Sequence, residues 1–144
     1  MATYYGSTYT AAKSGALPQQ SPDGRKVGAK ERRIVEVFDL ESQPIGDKLF
    51  FGTLPAGAAF AGVRLDTDTS LGASTLAVGS AASAAKYKAA GTFTALDTPT
   101  MYGKASAMAQ APLEAPEDVF GTIAAAALPA SGTLVTELFY TTSA

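Results

Sequence analysis

The sequence predicts an all-β fold, either an antiparallel β-sandwich or a jelly roll, with one short helix and an extended N-terminal arm. From Arg33 onward, short apolar segments rich in β-branched and aromatic residues alternate with Gly, Pro, Asp and Ser. One alanine-rich stretch has the composition of a helix. Residues 1–30 are rich in Gly, Ser, Thr, Pro and Tyr and show no period. We therefore expect an arm over residues 1–32 and a sandwich over residues 33–144.

Seven segments are predicted as strands. In chain order they read RIVEVFDL, DKLFFGTL, AAFAGVRLDT, STLAVGS, GTFTAL, EDVFGTIAAAAL and GTLVTELFYT. The first places Val35 and Val37 on one face and Ile34, Phe38 and Leu40 on the other. The last is long enough for both of its faces to be partly covered.

Alternation along two further segments predicts which side chains enter the core. The predicted inward positions are Ala59, Ala61, Val63, Leu65, Leu76 and Val78, and the outward ones are Arg64 and Asp66. The sandwich core is therefore expected to be built mainly from valine and leucine.

The connections have recognisable turn and helix signals. SAASAAKYKAAG (residues 80–91) is predicted to form the short helix, with Ser80 or Ser83 as N-cap and Gly91 after its last turn. LPAG at 54–57 and LPASG at 128–132 are interpreted as turns in which leucine ends a strand and proline and glycine reverse the chain. In this interpretation the next strand pairs back on the one before it.

The absence of cysteine and histidine limits the available chemistry. Disulfides, thiolate metal sites and Ser-His-Asp or Cys-His catalysis are excluded. We expect no cofactor, no metal site and no enzymatic activity. Asp66, Asp68 and Ser70 leave an irregular calcium site open, but Leu71 and Ala77 stand where a calcium loop needs Gly and Glu, so a polar loop is favoured.

No membrane or export segment is predicted. The N-terminus lacks a basic region followed by an apolar one, so we expect no secretory export. Residues 119–136 are uncharged, but Gly121, Pro129 and Gly132 interrupt them, and two strands joined by a turn explain them better.

Charge divides the chain into a basic arm and an acidic body. Through Arg33 there are six basic and two acidic residues, and from Ile34 onward five basic and eleven acidic ones. Three tyrosines in a polar arm would supply contact area if the arm lay on a neighbour. The candidate partner-binding residues are Tyr4, Tyr5, Tyr9, Arg25, Lys26, Lys30, Arg32 and Arg33. The acidic balance of the whole chain argues against nucleic acid as the partner.

Several stretches together resemble small head proteins of tailed bacteriophages, of the decoration or cement type. They are ATYYGSTYT, DGRKVGAKERR, LPAGAAFAGVRLDTDTSLGASTLAVGSAASAAKYKAA, TFTALDTPTMYG and ALPASGTLVTELFY. The resemblance implies a non-enzymatic virion protein on the capsid surface, assembled in the host cytoplasm. Its partner would be the major capsid protein, whose neighbouring subunits it would clamp.

Other interpretations stay open. A carbohydrate-binding sandwich, free or on a virion as a fibre component, would use Tyr87, Tyr102 and Tyr140 as platforms, and a hydrolase would need clustered acids such as Glu117 and Asp118. Because unprotected edge strands find partners, we also expect a homo-oligomer, with a trimer favoured.

Overall fold

The computed structural model describes residues 30–142 and arranges them as two four-stranded antiparallel sheets. The strands are β1 (Lys30–Asp39), β2 (Lys48–Leu54), β3 (Ala59–Thr67), β4 (Thr75–Gly79), β5 (Lys88–Thr92), β6 (Thr100–Tyr102), β7 (Glu117–Ala124) and β8 (Thr133–Thr142), with a helix, α1 (Ala105–Met108), between β6 and β7. Sheet I has the order β1-β8-β3-β6, and sheet II has the order β2-β7-β4-β5. The prediction of an antiparallel all-β sandwich is confirmed.

The strand pairs are nested along the chain. β1 pairs with β8, β2 with β7, β3 with β6 and β4 with β5, all antiparallel. Two further pairs, β3 with β8 and β4 with β7, complete the sheets. Every connection except β4 to β5 therefore crosses from one sheet to the other.

The core lies between the sheets and is built from alternate residues of each strand. Fully buried side chains include Phe51, Leu54, Val63, Leu65, Leu76, Val78, Tyr87, Val119, Leu134 and Leu138. Each buried aliphatic side chain of this size contributes about 1.5–3 kcal/mol relative to exposure. Gly121 on β7 makes room for the Phe51 ring, because a Cβ there would lie 2.8 Å from its Cζ atom.

The two Leu-Pro-Ala turns do not form hairpins, and that part of the sequence interpretation is wrong. After Leu54 the chain passes from sheet II to β3 in sheet I, and the LPASG stretch likewise connects β7 to β8 across the sandwich. Leu54 does end β2, and Pro55 has no N–H to donate to the ladder, but β7 already ends at Ala124, so Leu128 and Pro129 lie in the loop that follows it. In the first turn, the Ala58 N–H donates to the Pro55 carbonyl at 3.1 Å.

The predicted helix over residues 80–91 is also wrong. Residues 80–87 form a loop, and Lys88–Thr92 form β5 beside β4. The Ser80 Oγ does accept from the Ser83 N–H at 3.2 Å, as an N-cap would. Burial of the Tyr87 ring, and its N–H bonded to the Val78 carbonyl at 2.9 Å, override the helix propensity of the alanines.

A β-bulge explains the error in the inward positions of β3. Val63 and Leu65 are buried as predicted, but Ala59 and Ala61 are only partly buried, and Phe60 enters the core instead. The register with β8 shifts between Phe60 and Gly62. One extra residue reverses the alternation N-terminal to it.

Candidate interaction surface

Three of the predicted contact residues begin β1, at the edge of sheet I. Lys30, Arg32 and Arg33 are all exposed. The remaining candidates, Tyr4, Tyr5, Tyr9, Arg25 and Lys26, lie outside the described residues. The structure places these three basic residues at the start of one strand, with Arg33 on the face of Glu137, and the contact role of all eight stays a prediction.

β1 is a long and regular edge strand. It pairs with β8 over all ten of its residues, from Lys30 opposite Thr142 to Asp39 opposite Thr133, without a register shift. Within residues 30–142 no second strand pairs with it. An edge strand can template the addition of another strand through its outward N–H and C=O groups.

The outer face of sheet I carries exposed apolar side chains around a charged centre. Val35 and Val37 of β1 are 44% and 60% exposed, and Met101 of β6 is 54% exposed. Between them, the Glu137 carboxylate accepts from Arg33 at 2.9 Å and pairs with Arg64 through its other oxygen. The two arginines are more exposed than the Glu137 side chain, which is only 12% exposed, so the shared carboxylate holds both guanidinium groups against the sheet.

Arg64 also packs on an aromatic ring of the same outer face. Its guanidinium carbon lies 5.4 Å from the centre of the Phe139 ring, and that ring is almost entirely buried although it belongs to the outer face of β8. The arginine therefore covers an aromatic side chain that would otherwise face water.

The sequence predicts which residues of β1 share a face, but not which of the two faces is exposed. Val35 and Val37 share one face as predicted, and Ile34, Phe38 and Leu40 belong to the core side. Both faces of RIVEVFDL are apolar, so periodicity alone could not say which faces outward. Met101 could not be identified because the three-residue β6 has too short a pattern.

A partly buried polar cluster joins the residues just before β5 to the start of β7. The Tyr87 hydroxyl donates to Glu117, which also accepts from the Lys86 ammonium at 2.7 Å. The Tyr87 ring stacks on Phe60 with centroids 4.3 Å apart. Burial, together with the hydrogen bond to Glu117 and its negative charge, raises the pKa of Tyr87 above its ordinary range.

Lys88 lies beside this cluster and has no carboxylate partner in the hydrogen bonds of its side chain. Its Nζ donates to the carbonyls of Leu76 at 2.8 Å and Ala89 at 3.1 Å, and lies 4.6 Å from the centre of the Tyr102 ring. Burial lowers the pKa of Lys88. These contacts join the two sheets near β5 and β6 and have no catalytic geometry.

None of the three tyrosines considered as sugar platforms is fully exposed. Tyr87 is fully buried, and Tyr102 and Tyr140 are partly buried against the core. An exposed aromatic ring is found instead at Phe50 of β2, 45% exposed and 5.6 Å from the Phe120 ring. The expectation for Tyr87 was wrong because its ring fills the space between the sheets.

The acidic loop after β3 has a structural role. Asp68 accepts from the Thr133 N–H at 2.7 Å and from the Thr69 hydroxyl at 3.0 Å, which fixes the start of β8. Among residues 30–142, no three acidic side chains come together as a metal site. Within the same residues, no helix has the length and apolar character to cross a membrane.

The fold is similar to chains in three solved phage capsid structures. A chain of the Cyanophage Pam1 capsid asymmetric unit matches with a TM-score of 0.66 and 21% identity, covering 91% of this chain and 98% of that one. A chain of the capsid of Ralstonia phage GP4 matches with a TM-score of 0.61 and 22% identity, covering 94% and 96%. A chain of the acidic stable capsid of Helicobacter pylori bacteriophage KHP30 matches with a TM-score of 0.53 and 12% identity, covering 80% and 95%.

The similarity is one of fold, extending over nearly the whole chain. No protein-family model matches the sequence, and no curated protein matches it significantly.

Proposed function

We propose that this protein is a non-enzymatic structural component of a bacteriophage virion, located on the capsid surface. The observation that carries the proposal is the fold shared with chains of phage capsid structures over 91% and 94% of this chain. The nested strand pairs support a jelly-roll interpretation of the sandwich, an architecture that viral capsid proteins use. Enzymatic activity has no support in the clusters of side chains described above.

The role within the virion is decoration or cementing of the capsid. The rigid sandwich would be held by contacts of the arm and of β1 with neighbouring major capsid subunits, and each copy would add a modest contact area. Many copies acting together would give the overall hold. The contact residues would be Tyr4, Tyr5, Tyr9, Arg25, Lys26, Lys30, Arg32 and Arg33.

Co-sedimentation tests this proposal directly. The full chain is mixed with capsids of its phage that were assembled without it, and the ratio of the two proteins in the pellet is measured. Saturable binding at a fixed ratio is expected, and its absence over a wide concentration range would contradict the capsid role.

Two variants locate the contact. Deletion of residues 2–29, and separately the charge reversal Lys30→Glu with Arg33→Glu, should each weaken binding. The matched control is Lys48→Glu on β2, an exposed lysine of the other sheet. If both variants bind as tightly as the control, the arm and the basic start of β1 are not the contact.

A carbohydrate-binding role has less support. It needs exposed aromatic platforms, and its three tyrosines are buried or partly buried. Phe50 is the exposed ring that a glycan-binding assay would examine first, through the variant Phe50→Ala.

A further inference from the structure

The edge at β1 differs from the other three sheet edges. β6 has only three residues, the pairing of β2 with β7 breaks between Phe50 and Gly52, and the pairing of β5 with β4 breaks between Leu76 and Val78. Short strands, bulges and charged side chains are features that prevent an edge from pairing with another chain, and of these β1 has only the charges. β1 has ten residues in unbroken register.

The second half of β1 is also apolar. Between Ile34 and Phe38 the only charge is that of Glu36, there is no proline, and Val35 and Val37 are exposed. A long and partly apolar edge is a template for strand addition. The charges of β1 indicate which strand is added.

The charge pattern of β1 is complementary to itself. We propose that β1 pairs antiparallel with β1 of a second copy of this chain, about a two-fold axis at Ile34, so that sheet I continues into the sheet of the second copy. The inference stands on the strand alone and does not depend on the proposed virion role.

The requirement for a common core side limits the register. In one continuous sheet, the two cores lie on the same side only if paired residues of the two copies have their side chains on the same face. Shifting the register by one residue breaks this match. The two-fold axis must therefore lie between a residue and the same residue of the second copy. An axis at Arg33 sets Arg33 opposite Arg33 of the second copy, and an axis at Glu36 likewise sets the two copies of Glu36 opposite each other. Like charges directly opposite are destabilising, so these two registers are disfavoured.

The charges then distinguish the two remaining central registers. An axis through Val35 sets Glu31 opposite Asp39, again a like-charge pair. An axis through Ile34 instead sets Arg32 opposite Glu36 of the second copy, and this pair occurs twice by symmetry. It also sets Ile34 opposite Ile34, which makes an apolar centre.

The contact would be small. One strand edge buries less area than a standard stable interface, so the dimer should be weak in dilute solution and be strengthened where copies are concentrated. The measurement therefore needs a concentration series up to the millimolar range.

Analytical ultracentrifugation of charge variants tests the register. The full chain should shift with concentration from 14.6 kDa toward twice that mass. Arg32→Glu alone and Glu36→Arg alone should each weaken self-association by roughly 10-fold, because both cross-strand pairs become repulsive. An equimolar mixture of the two variants should restore it, because each Glu at 32 or 36 then faces an Arg.

Cysteine cross-linking gives an independent measurement, since the chain has no cysteine of its own. In the proposed register Arg33 lies opposite Val35 of the second copy, within the span of a disulfide. A mixture of R33C and V35C chains should form a disulfide dimer on oxidation. A mixture of R33C with L96C, an exposed position in the loop between β5 and β6, is the matched control.

Several outcomes would overturn the proposal. They are a chain that is monomeric throughout the series, a mixture that associates no better than the single variants, and an R33C–V35C mixture that cross-links no better than the control.

A trimer unaffected by either charge variant would place self-association on another surface. A dimer that forms only after deletion of residues 2–29 would mean that the arm, not a second copy, covers β1 in the full chain. Circular dichroism confirms that each variant is folded.

Discussion

The edge strands β1 and β5 differ in length, in regularity and in the burial of their side chains. β5 is short, its pairing with β4 is irregular, and buried Tyr87 and Lys88 tie it to the rest of the molecule. β1 is twice as long and regular, and its valines face water. Buried side chains therefore hold the chain at the start of β5, whereas β1 combines core contacts of Ile34 and Phe38 with exposed valines.

The largest expected effect is at Tyr87. Tyr87→Ala removes a fully buried ring stacked on Phe60, and such substitutions cost about 3–5 kcal/mol. The free energy of unfolding from urea titration should fall by about this amount. A loss under about 1 kcal/mol would mean that β5 is not held as described.

A smaller effect is expected from Tyr87→Phe. It keeps the ring but removes the hydroxyl that donates to Glu117, which still has Lys86 as a partner. Loss of one hydrogen bond to a charged group costs about 1.5–3 kcal/mol. Urea titration of this variant beside Tyr87→Ala separates the contribution of the ring from that of the hydroxyl, and equal losses would contradict the packing argument.

The lowered pKa of Lys88 predicts how the free energy of unfolding depends on pH. Burial lowers its pKa in the folded state, so above that lowered value the unfolded chain binds more protons. The free energy of unfolding should therefore rise as pH increases from the lowered pKa toward about 10.4, the ordinary value for lysine. Lys88→Met should reduce this rise, while Lys48→Met at an exposed position should leave it unchanged. Identical pH profiles for the two variants would contradict the assignment.

The smallest effect on stability is expected at the exposed valines of β1. Val37→Thr should change the free energy of unfolding by less than about 0.5 kcal/mol, since surface substitutions usually do. The measurement is the same urea titration used for Tyr87. A loss above 1 kcal/mol would show that Val37 stabilises the isolated fold and would remove the contrast between the two edges.

The parts of the fold that follow from alternation could be predicted, and those that depend on the partner strand could not. Val63, Leu65, Leu76 and Val78 were placed correctly because each strand segment shows its own pattern. The helix over residues 80–91 was wrong because the burial of Tyr87 is a tertiary effect that local propensity does not contain.

The surface was predicted only in part for a similar reason. Lys30, Arg32 and Arg33 could be identified from charge alone, and they lie exposed on β1. That β1 is an edge depends on strand order, which no local pattern specifies. Turn chemistry located the end of β2 at Leu54 but not the end of β7 at Ala124, and it could not say that the following strand joins the other sheet.

Amide hydrogen exchange of the full chain, free and bound to capsids, tests the contrast between the edges most directly. We predict that amides of residues 34–38 exchange more slowly in the bound state, while those of residues 88–92 exchange equally in both states. Slower exchange at residues 88–92, with residues 34–38 unchanged, would contradict the account and place the contact at β5.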